Sequence, residues 1–329
     1  MKAVICEKYG PPEVLKIKEV EKPEPKDNEV LIKIKATVTA LPDCAFRKGS
    51  PFISRLFTGL TRPKYILGDV LSGVVEATGK DVKHFKNGDE IYGSSGTNFG
   101  TNAEYIVLSE DEAVTIKPIN VSFGEAAAIS EGTLTALPFL RDSGNIKSKR
   151  GQKILINGAS GGVGVYALQL AKYFGAEVTG VCSSNNLELV KSLGADYVID
   201  YTKEDFTKTS DTYDIIFDAV GKSSFSKCKN SLKSNGVYLS TIPTLTLMFQ
   251  MLITSSSKKR KAIFSATGLR KTIEKKNDLI FLKELIEAGK IKPVIDKIYP
   301  LEDIVEAHRY VEMGHKRGSV VINIEKTEN

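Results

Sequence analysis

The chain of 329 residues is poor in the side chains that most often carry metal or nucleophilic chemistry. It has no tryptophan, three histidines and four cysteines, Cys6, Cys44, Cys182 and Cys228. The cysteines are widely spaced and form no C-x-x-C pair, which excludes a dense disulfide framework and the common cysteine zinc motifs. We therefore expect reduced thiols and a cytoplasmic protein.

Long hydrophobic runs are also lacking. The longest apolar tract, residues 245–253, contains Gln250 and is far below the roughly 18 residues that a membrane span needs. The first five residues pass directly into a charged segment, so no signal peptide is predicted. The net charge of +6 permits attraction to an anionic ligand, but without a concentrated basic patch it does not indicate specific nucleic-acid binding.

The length fits two domains at about 150 residues each. Up to about residue 120 the sequence reads as short β segments with turns, as at residues 30–35, 74–77 and 90–92. From about residue 122 strands alternate with helices, beginning with a helical segment over 123–140 and a strand over 153–157. Further strands are predicted over 177–182, 197–200 and 213–218, and a helix over 224–232. This alternation is typical of an α/β domain with a parallel sheet.

A glycine-rich loop follows the strand predicted over 153–157. It begins with Gly158 and opens an apolar helix, and its candidate ligand-binding residues are Ser160, Gly161, Gly162, Val163 and Gly164. Free backbone N–H groups and the positive end of the helix dipole suit a pyrophosphate at such a turn. The strand–loop–helix context predicts dinucleotide binding. The alternative is a tight turn with close helix packing and no ligand.

The end of the second strand of an NAD site usually carries Asp or Glu, which holds the ribose 2′-hydroxyl. Here residues 181–186 read Val-Cys-Ser-Ser-Asn-Asn, without a carboxylate to repel a 2′-phosphate. Ser183, Ser184 and Asn186 can donate hydrogen bonds to that phosphate, which favours NADPH. The segment has no Arg or Lys, and the serines could instead only cap the following helix.

Motifs along nearly the whole chain carry a resemblance. They are Asn157–Gly164, Leu193-Gly194-Ala195-Asp196, Val198-Ile199-Asp200-Tyr201, Gly10-Pro11-Pro12-Glu13, Phe85-Lys86-Asn87-Gly88-Asp89 and Gly289-Lys290-Ile291-Lys292-Pro293. The chain resembles the medium-chain dehydrogenase/reductase superfamily, and within it the zinc-free quinone oxidoreductase-like branch that includes zeta-crystallin. The resemblance implies a Rossmann doubly wound parallel sheet domain over 122–292. It also implies a partly open β-barrel, GroES-like catalytic domain over 1–121 and 293–329.

The resemblance also implies a cofactor site. Besides the glycine loop, the resemblance implies cofactor contacts from Ser183, Asn186 and Tyr201. We add Val220 and Thr241, near the ends of later strands, as further candidates. A C-terminal loop that closes over the cofactor maps to His315, Lys316 and Arg317, which could supply positive charge for NADPH; the alternative is a solvated surface turn.

Zinc enzymes of the superfamily bind a catalytic metal through a Cys, a His-Glu pair and a later Cys or Asp. In this chain Cys44 stands past the first position, Asp69 and Val70 replace the pair, and Glu131 is the nearest third candidate. We therefore predict no metal site. His84 and His308 have no partner spacing for general-base chemistry and are expected at the surface or in packing.

Without a metal or nucleophile the chemistry falls to the cofactor. The resemblance implies zinc-independent hydride transfer from NADPH to a quinone or an activated alkene, an enone or enal. A substrate pocket is expected around Asp43, Arg47, Tyr65, Thr133 and Thr135, although Tyr65 and Phe46 could merely pack in the barrel. An alcohol dehydrogenase-like carbonyl reductase is an alternative.

A different class of alternative is an NADPH-binding protein whose main role is RNA or membrane-surface binding through the basic run 258–261. The strands predicted over 236–241 and 262–265 would form an exposed sheet edge. Together with the dimers formed in the family that the chain resembles, this edge favours a homodimer.

Overall fold

Seven strands of the first unit form one mixed sheet. The computed structural model describes residues 1–63, 65–146, 151–256 and 259–325, which divide into unit 1, Met1–Glu131 with Gly268–Asn329, and unit 2, Gly132–Thr267. The strands of the unit 1 sheet are β3 (Glu29–Thr39), β4 (Val70–Thr78), β5 (Glu90–Ser94), β6 (Tyr105–Ser109), β7 (Ala113–Ile116), β14 (Ile295–Pro300) and β15 (Ser319–Asn323). Their order is β14-β15-β3-β4-β5-β7, with β6 also paired to β3. A separate antiparallel pair joins β1 (Lys2–Cys6) to β2 (Leu15–Glu19).

Strand β3 is central to unit 1 because it pairs with β4, β6 and β15. Its inward side chains, among them Val30, Ile32 and Ile34, pack in a core that also takes in Leu71 and Val320. Burial of such aliphatic side chains is the main stabilising contribution to the barrel.

The helices that accompany the unit 1 sheet are α1 (Leu41–Lys48), α2 (Arg55–Thr58), α8 (Thr272–Glu287) and α9 (Ile304–Glu312). Helix α1 follows β3 after a single residue and was not predicted, because eight residues give too little periodicity to see. Its first turn is closed by the Ala40 N–H, which donates to Asp43 Oδ2 at 2.8 Å. It ends at Gly49, whose φ of 64° lies in the left-handed region that glycine adopts without strain.

Unit 2 is built on a six-stranded sheet in which every pairing is parallel. Its strands are β8 (Lys153–Asn157), β9 (Glu177–Cys182), β10 (Tyr197–Asp200), β11 (Tyr213–Asp218), β12 (Leu232–Ser240) and β13 (Lys261–Phe264). The order β10-β9-β8-β11-β12-β13 is the doubly wound order of the Rossmann fold. The predicted fold class is confirmed.

The helices of unit 2 are α4 (Gly164–Tyr173), α5 (Leu187–Ser192), α6 (Phe225–Cys228) and α7 (Leu245–Ser255). The strands predicted over 153–157, 177–182, 197–200 and 213–218 are confirmed at those bounds. The helix predicted over 224–232 is shorter, because Leu232 already pairs with Tyr213 as the first residue of β12. The apolar tract 245–253 forms most of α7.

The long helix α3 (Phe123–Pro138) contains the division between the units, after Glu131. The predicted domain boundaries, at 121/122 and 292/293, stay a prediction. In the part of the chain that the structure describes, no helix is long and apolar enough to cross a membrane.

Candidate cofactor site and buried polar groups

The glycine loop leaves the carboxyl end of β8, the central strand of the parallel sheet. A Cβ on Gly164 would lie 2.0 Å from the Gly158 carbonyl oxygen, and Gly158 has φ of 81° and meets Val220. Both positions therefore require glycine. At Gly161 a Cβ would meet only the Gly158 carbonyl oxygen, at 3.5 Å, so one side of the loop is open. An open backbone turn before a helix is the geometry that accepts a phosphate.

Asp218 fixes the loop that follows the neighbouring strand β11. Its carboxylate is fully buried and accepts hydrogen bonds from Asn157 Nδ2 at 3.0 Å, from the Gly221 and Ser223 N–H groups, both at 2.9 Å, and from the Tyr238 hydroxyl at 2.9 Å. Sequence reasoning missed this residue. The signal was an Asp at the end of an apolar strand, where a buried carboxylate needs several donors.

Val220 and Thr241 lie on either side of this network. Val220 contacts the Gly158 position, and the Thr241 N–H donates to the Asp218 carbonyl at 3.2 Å. Both are thus at the carboxyl edge of the sheet, where ligands of this fold bind. Their predicted contact with the cofactor stays a prediction.

Ser160, Ser183 and Asn186 form a hydrogen-bonded group beside the glycine loop. Asn186 Nδ2 donates to Ser160 Oγ at 3.0 Å and to Ser183 Oγ at 3.3 Å. Asn186 Oδ1 is buried without a hydrogen-bond partner among the described residues. A buried carbonyl oxygen without a donor is costly unless a ligand or water supplies one. The open loop and this oxygen together fit a dinucleotide at this edge.

A carboxylate does stand at the end of β9, although the segment 181–186 contains none. In the parallel register Asp200 of β10 lies opposite Cys182, the last residue of β9. The Ser184 hydroxyl donates to Asp200 Oδ2. The expectation of an edge without a negative charge is therefore wrong, because strand pairing brings in an acid from the next strand along the chain.

Two further groups hold the Asp200 carboxylate. The Thr202 N–H and hydroxyl donate to Oδ1 at 3.0 and 2.7 Å. The hydrogen bonds from Ser184 and Thr202 lower the pKa of Asp200 to about 2. Lys203 Nζ lies 3.7 Å from Oδ2 and is a cation outside the predicted site. Tyr201, predicted to contact the cofactor, follows Asp200 in the chain, and its side chain is exposed.

Helix α3 approaches the glycine loop at Gly132. A Cβ there would lie 2.5 Å from the Gly162 carbonyl oxygen and 2.1 Å from the Tyr166 ring, so only glycine permits this contact. Thr133, the next residue, is buried, and Thr135 is half-buried. The structure thus places both predicted threonines on the helix that packs against the loop.

The remaining cofactor candidates, His315, Lys316 and Arg317, lie in unit 1, in the turn between α9 and β15. Lys316 Nζ donates to the Gly318 carbonyl at 2.8 Å, and the Arg317 N–H donates to Asp296 Oδ2 at 3.0 Å. Their part in cofactor binding stays a prediction.

Three acidic groups of unit 1, Asp43, Asp69 and Glu131, influence one another electrostatically. Burial raises the pKa of each carboxyl, and the neighbouring Asp69 raises that of Asp43 further. Lys275 opposes the shift at Asp69 and Lys316 opposes it at Glu131, in each case as a smaller effect. The protonated form of the Asp43 carboxyl is thereby favoured more than that of an ordinary aspartate.

Polar atoms without partners accompany these carboxyls. Thr39 Oγ1, Asn102 Oδ1 and Glu131 Oε2 are buried and form no hydrogen bond with any residue that the structure describes. Asn102 Oδ1 lies 2.5 Å from where a Cβ of Gly68 would be, next to Asp69. Among the described residues, no group of three His, Cys, Asp or Glu side chains is arranged to hold a metal ion.

Arg47, in the last turn of α1, is completely buried beside α9. Its Nη1 donates to the Gly10 carbonyl at 3.1 Å and its Nη2 pairs with Glu312. One turn earlier, Cys44 Sγ lies 3.4 Å from His308 Nδ1. Burial raises the pKa of Cys44 to about 12 and lowers that of His308 to about 3, so both are neutral packing groups.

Two other predicted features lie at the surface. Tyr65 is 51% exposed, which does not fit packing in the barrel core. In the basic run, Lys258 lies outside the described residues, and Arg260 donates to the Leu232 carbonyl at 2.7 Å and pairs with Asp211.

All four cysteines are buried and free.

Comparisons with known proteins agree with this architecture. Residues 26–118 match the family described as "Alcohol dehydrogenase GroES-like domain" and residues 193–322 the family described as "Zinc-binding dehydrogenase". Among the relatives, "NAD(P)H oxidoreductase RTN4IP1, mitochondrial" of Mus musculus is 34% identical over 98% of this chain and 89% of its own length. "2-methylene-furan-3-one reductase" of Solanum lycopersicum is 36% identical over 98% of this chain and 79% of its own.

Among solved structures, the quinone oxidoreductase of Escherichia coli complexed with NADPH aligns with a TM-score of 0.83. It is 27% identical, and the alignment covers 98% of this chain and all of the other.

Proposed function

Because the chain belongs to the zinc-free quinone oxidoreductase-like branch of the medium-chain dehydrogenase/reductase superfamily, we propose that it transfers hydride from NADPH to a quinone or to the β-carbon of an enone or enal. The two relatives described above are named as an NAD(P)H oxidoreductase and a 2-methylene-furan-3-one reductase, and the solved structure is that of a quinone oxidoreductase. The observation in this chain that supports the proposal most directly is the open side of the loop at Gly161 beside the unpartnered Asn186 Oδ1.

When bound, the nicotinamide supplies the hydride. The residues of the chain would bind and orient the cofactor. Backbone N–H groups from Gly162 to Gly164 would hold its phosphates, and Ser183 and Asn186 would hold its adenosine end. Asp218 holds the loop 219–223 in place through hydrogen bonds from Gly221 and Ser223. Correct orientation of the two reactants supplies much of the rate enhancement in such a reaction.

Substrate activation falls to hydrogen-bond donors. In unit 1 we assign Asp43 as an acid that donates a hydrogen bond to the substrate and Tyr65 as a substrate-binding residue. In unit 2 we assign Thr133 and Thr135 as hydroxyl donors. Donors aimed at developing oxyanion charge lower the barrier without a metal. Arg47 holds α1, and with it Asp43, through its bonds to Gly10 and Glu312; it acts as a positioning residue.

The test is oxidation of NADPH by the purified, chelator-treated protein with ortho-quinones, para-quinones and α,β-unsaturated ketones. NADPH-dependent turnover that survives chelation is expected, and the better acceptor class decides between quinone and alkene reduction. No turnover with any acceptor would contradict the proposal.

A loop variant links the activity to the site. Gly161→Val should abolish NADPH binding, because its side chain enters the open side of the loop, while the melting temperature stays unchanged. Gly268→Val is the matched control, since a Cβ there meets nothing within 4 Å.

We further propose that the protein is a homodimer formed through unit 2. Strand β13 is an edge strand, and an apolar face of α7 lies exposed: Leu245, Met248, Phe249, Leu252 and Ile253. Exposed apolar patches of this kind mark interaction surfaces. Light scattering should give twice the chain mass for the protein and for Leu269→Glu, an exposed leucine in unit 1, and the chain mass for Leu252→Glu. A monomeric wild-type protein would overturn this.

A cytoplasmic location is the remaining proposal. It rests on four free, buried cysteines, which suit a reducing compartment. One relative named above is mitochondrial, so the discriminating measurement is fractionation of the source cell. Recovery in an organelle fraction would refute a cytoplasmic location.

A further inference from the structure

The end of β9, where this fold usually holds the 2′-position of the adenosine ribose, carries two kinds of hydrogen-bonding group. Ser183 and Ser160 each accept a hydrogen bond from Asn186 Nδ2, so both hydroxyl hydrogens remain available to a phosphate. Ser184 differs, because its neighbour is the carboxylate of Asp200. An ionised carboxylate only accepts hydrogen bonds, so the Ser184 hydroxyl must donate to it.

The consequence concerns what Ser184 can offer a ligand. With its hydrogen committed to Asp200, the Ser184 oxygen presents only lone pairs. Lone pairs suit a ribose 2′-hydroxyl, which can donate, and not a 2′-phosphate, which is an acceptor. The carboxylate also adds a negative charge to this end of β9, which would oppose a bound 2′-phosphate.

Asp200 also has a cationic neighbour, Lys203. Lys203 Nζ lies 3.7 Å from Asp200 Oδ2, and the Lys203 side chain is 71% exposed against 7% for Asp200. An exposed lysine on a flexible stem could reach a phosphate, but here it already has a carboxylate partner. The aspartate thus withholds both a hydroxyl donor and a positive charge from the 2′-phosphate.

We infer that Asp200 is a specificity-determining residue that acts through Ser184 and Lys203 to keep the preference for NADPH over NADH small, so that this chain binds both dinucleotides. The inference rests on the proposed use of a nicotinamide dinucleotide at this edge. The acid that NAD-binding folds usually carry on the second strand is here supplied by the third.

The test is the dissociation constant of each dinucleotide, measured by nicotinamide fluorescence without any acceptor. Asp200→Asn should raise the ratio of NADPH to NADH affinity about tenfold, because the phosphate gains one charge-assisted hydrogen bond and is relieved of repulsion from one negative charge. Asp205→Asn is the matched control: it removes the same charge from the same loop, where Asp205 accepts hydrogen bonds from Thr207. Its ratio should stay that of the wild type.

Double variants test whether Asp200 sets the cofactor preference or only stabilises the loop. Ser184→Ala should change the NADPH affinity little in the wild type but remove several-fold of the gain in Asp200→Asn, and Lys203→Gln should act in the same way. If Asp200→Asn weakens both dinucleotides equally, the residue only supports the loop and the inference is overturned. An unchanged ratio overturns it as well. A wild-type protein that binds neither dinucleotide would refute the proposed function and this inference together.

Discussion

Asp43 in unit 1 and Asp200 in unit 2 are almost equally covered, with 6% and 7% of their surfaces exposed, but their pKa values move in opposite directions. Burial and the neighbouring Asp69 raise the pKa of Asp43, whereas hydrogen bonds from Ser184 and Thr202 lower that of Asp200. The Asp43 carboxyl accepts a hydrogen bond from the Ala40 N–H, and this donor does not offset the burial. The exposed fraction alone therefore does not decide the charge of a carboxyl: burial outweighs the backbone donor at Asp43, whereas the hydrogen bonds from Ser184 and Thr202 outweigh burial at Asp200.

The same contrast separates the two units as chemical environments. Unit 1 has carboxyls with raised pKa values and buried polar atoms without partners near Asp69 and Asn102. Such groups suit a site that binds a polar ligand and exchanges a proton with it. Unit 2 satisfies its buried acids, Asp200 and Asp218, with several donors each. That arrangement suits a rigid cradle with fixed charges.

The largest expected effect comes from the completely buried guanidinium of unit 1. Glu312→Gln leaves Arg47 without its counter-charge and should lower the free energy of unfolding by about 3 kcal/mol. Arg47→Met removes the buried charge and keeps the stem, so its cost should be about 1 kcal/mol. Urea unfolding measures both.

Glu306→Gln is the control for that pair, because it breaks an exposed bond to Arg309 on the same helix and should cost well under about 1 kcal/mol. Equal costs for Glu312→Gln and Arg47→Met would show that the ion pair, and not the buried charge, dominates.

A substitution at Asp69 is expected to raise the free energy of unfolding. Burial and Glu131 raise its pKa to about 6, so the folded state holds a proton that the unfolded chain releases at about pH 4. Stability from this group is present below the ordinary value and is lost as the pH rises through about 6. Asp69→Asn should therefore stabilise the protein by about 1–3 kcal/mol at pH 8 and change nothing at pH 4.

Thermal unfolding across this pH range measures the effect. Asp81→Asn, an exposed carboxyl of the same unit, should leave the profile unchanged. A stabilisation that is the same at pH 4 and pH 8 would mean that the substitution acts through packing and not through the proton.

Much of unit 2 could be predicted from the sequence because its signals are local. Strands β8 to β11 are short apolar runs between turns, and the glycines follow β8 directly, so type and bounds can be read from neighbouring residues. The Asp200–Ser184 bond could not be read in this way. It depends on the parallel register that sets Asp200 opposite Cys182, and register is a property of two strands and the connection between them.

In unit 1 the three carboxyls were named from the resemblance, but their mutual electrostatic influence could not be predicted, for a similar reason. Asp43, Asp69 and Glu131 come from α1, the segment before β4, and α3, so their proximity depends on three elements folding together. Helix α1 itself is too short to show a period, and the stop at Gly49 is a weak signal alone. The candidate Arg47 was predicted by likeness, but only the structure shows that Glu312 and the Gly10 carbonyl hold it.

The smallest expected effect is on the stability that Asp200 contributes. Its pKa is lowered to about 2 in the folded protein, so its contribution is present above the ordinary value of about 4 and is lost as the pH falls toward 2. Asp200→Ala should lower the melting temperature by a few degrees at pH 7, because Ser184 and Thr202 lose their acceptor, and by less at pH 3. Glu204→Gln, an exposed neighbour in the same loop, should have no effect at either pH. If Asp200→Ala is equally destabilising at both values, the carboxyl is protonated in the folded state like those of unit 1. The contrast between the two units would then disappear.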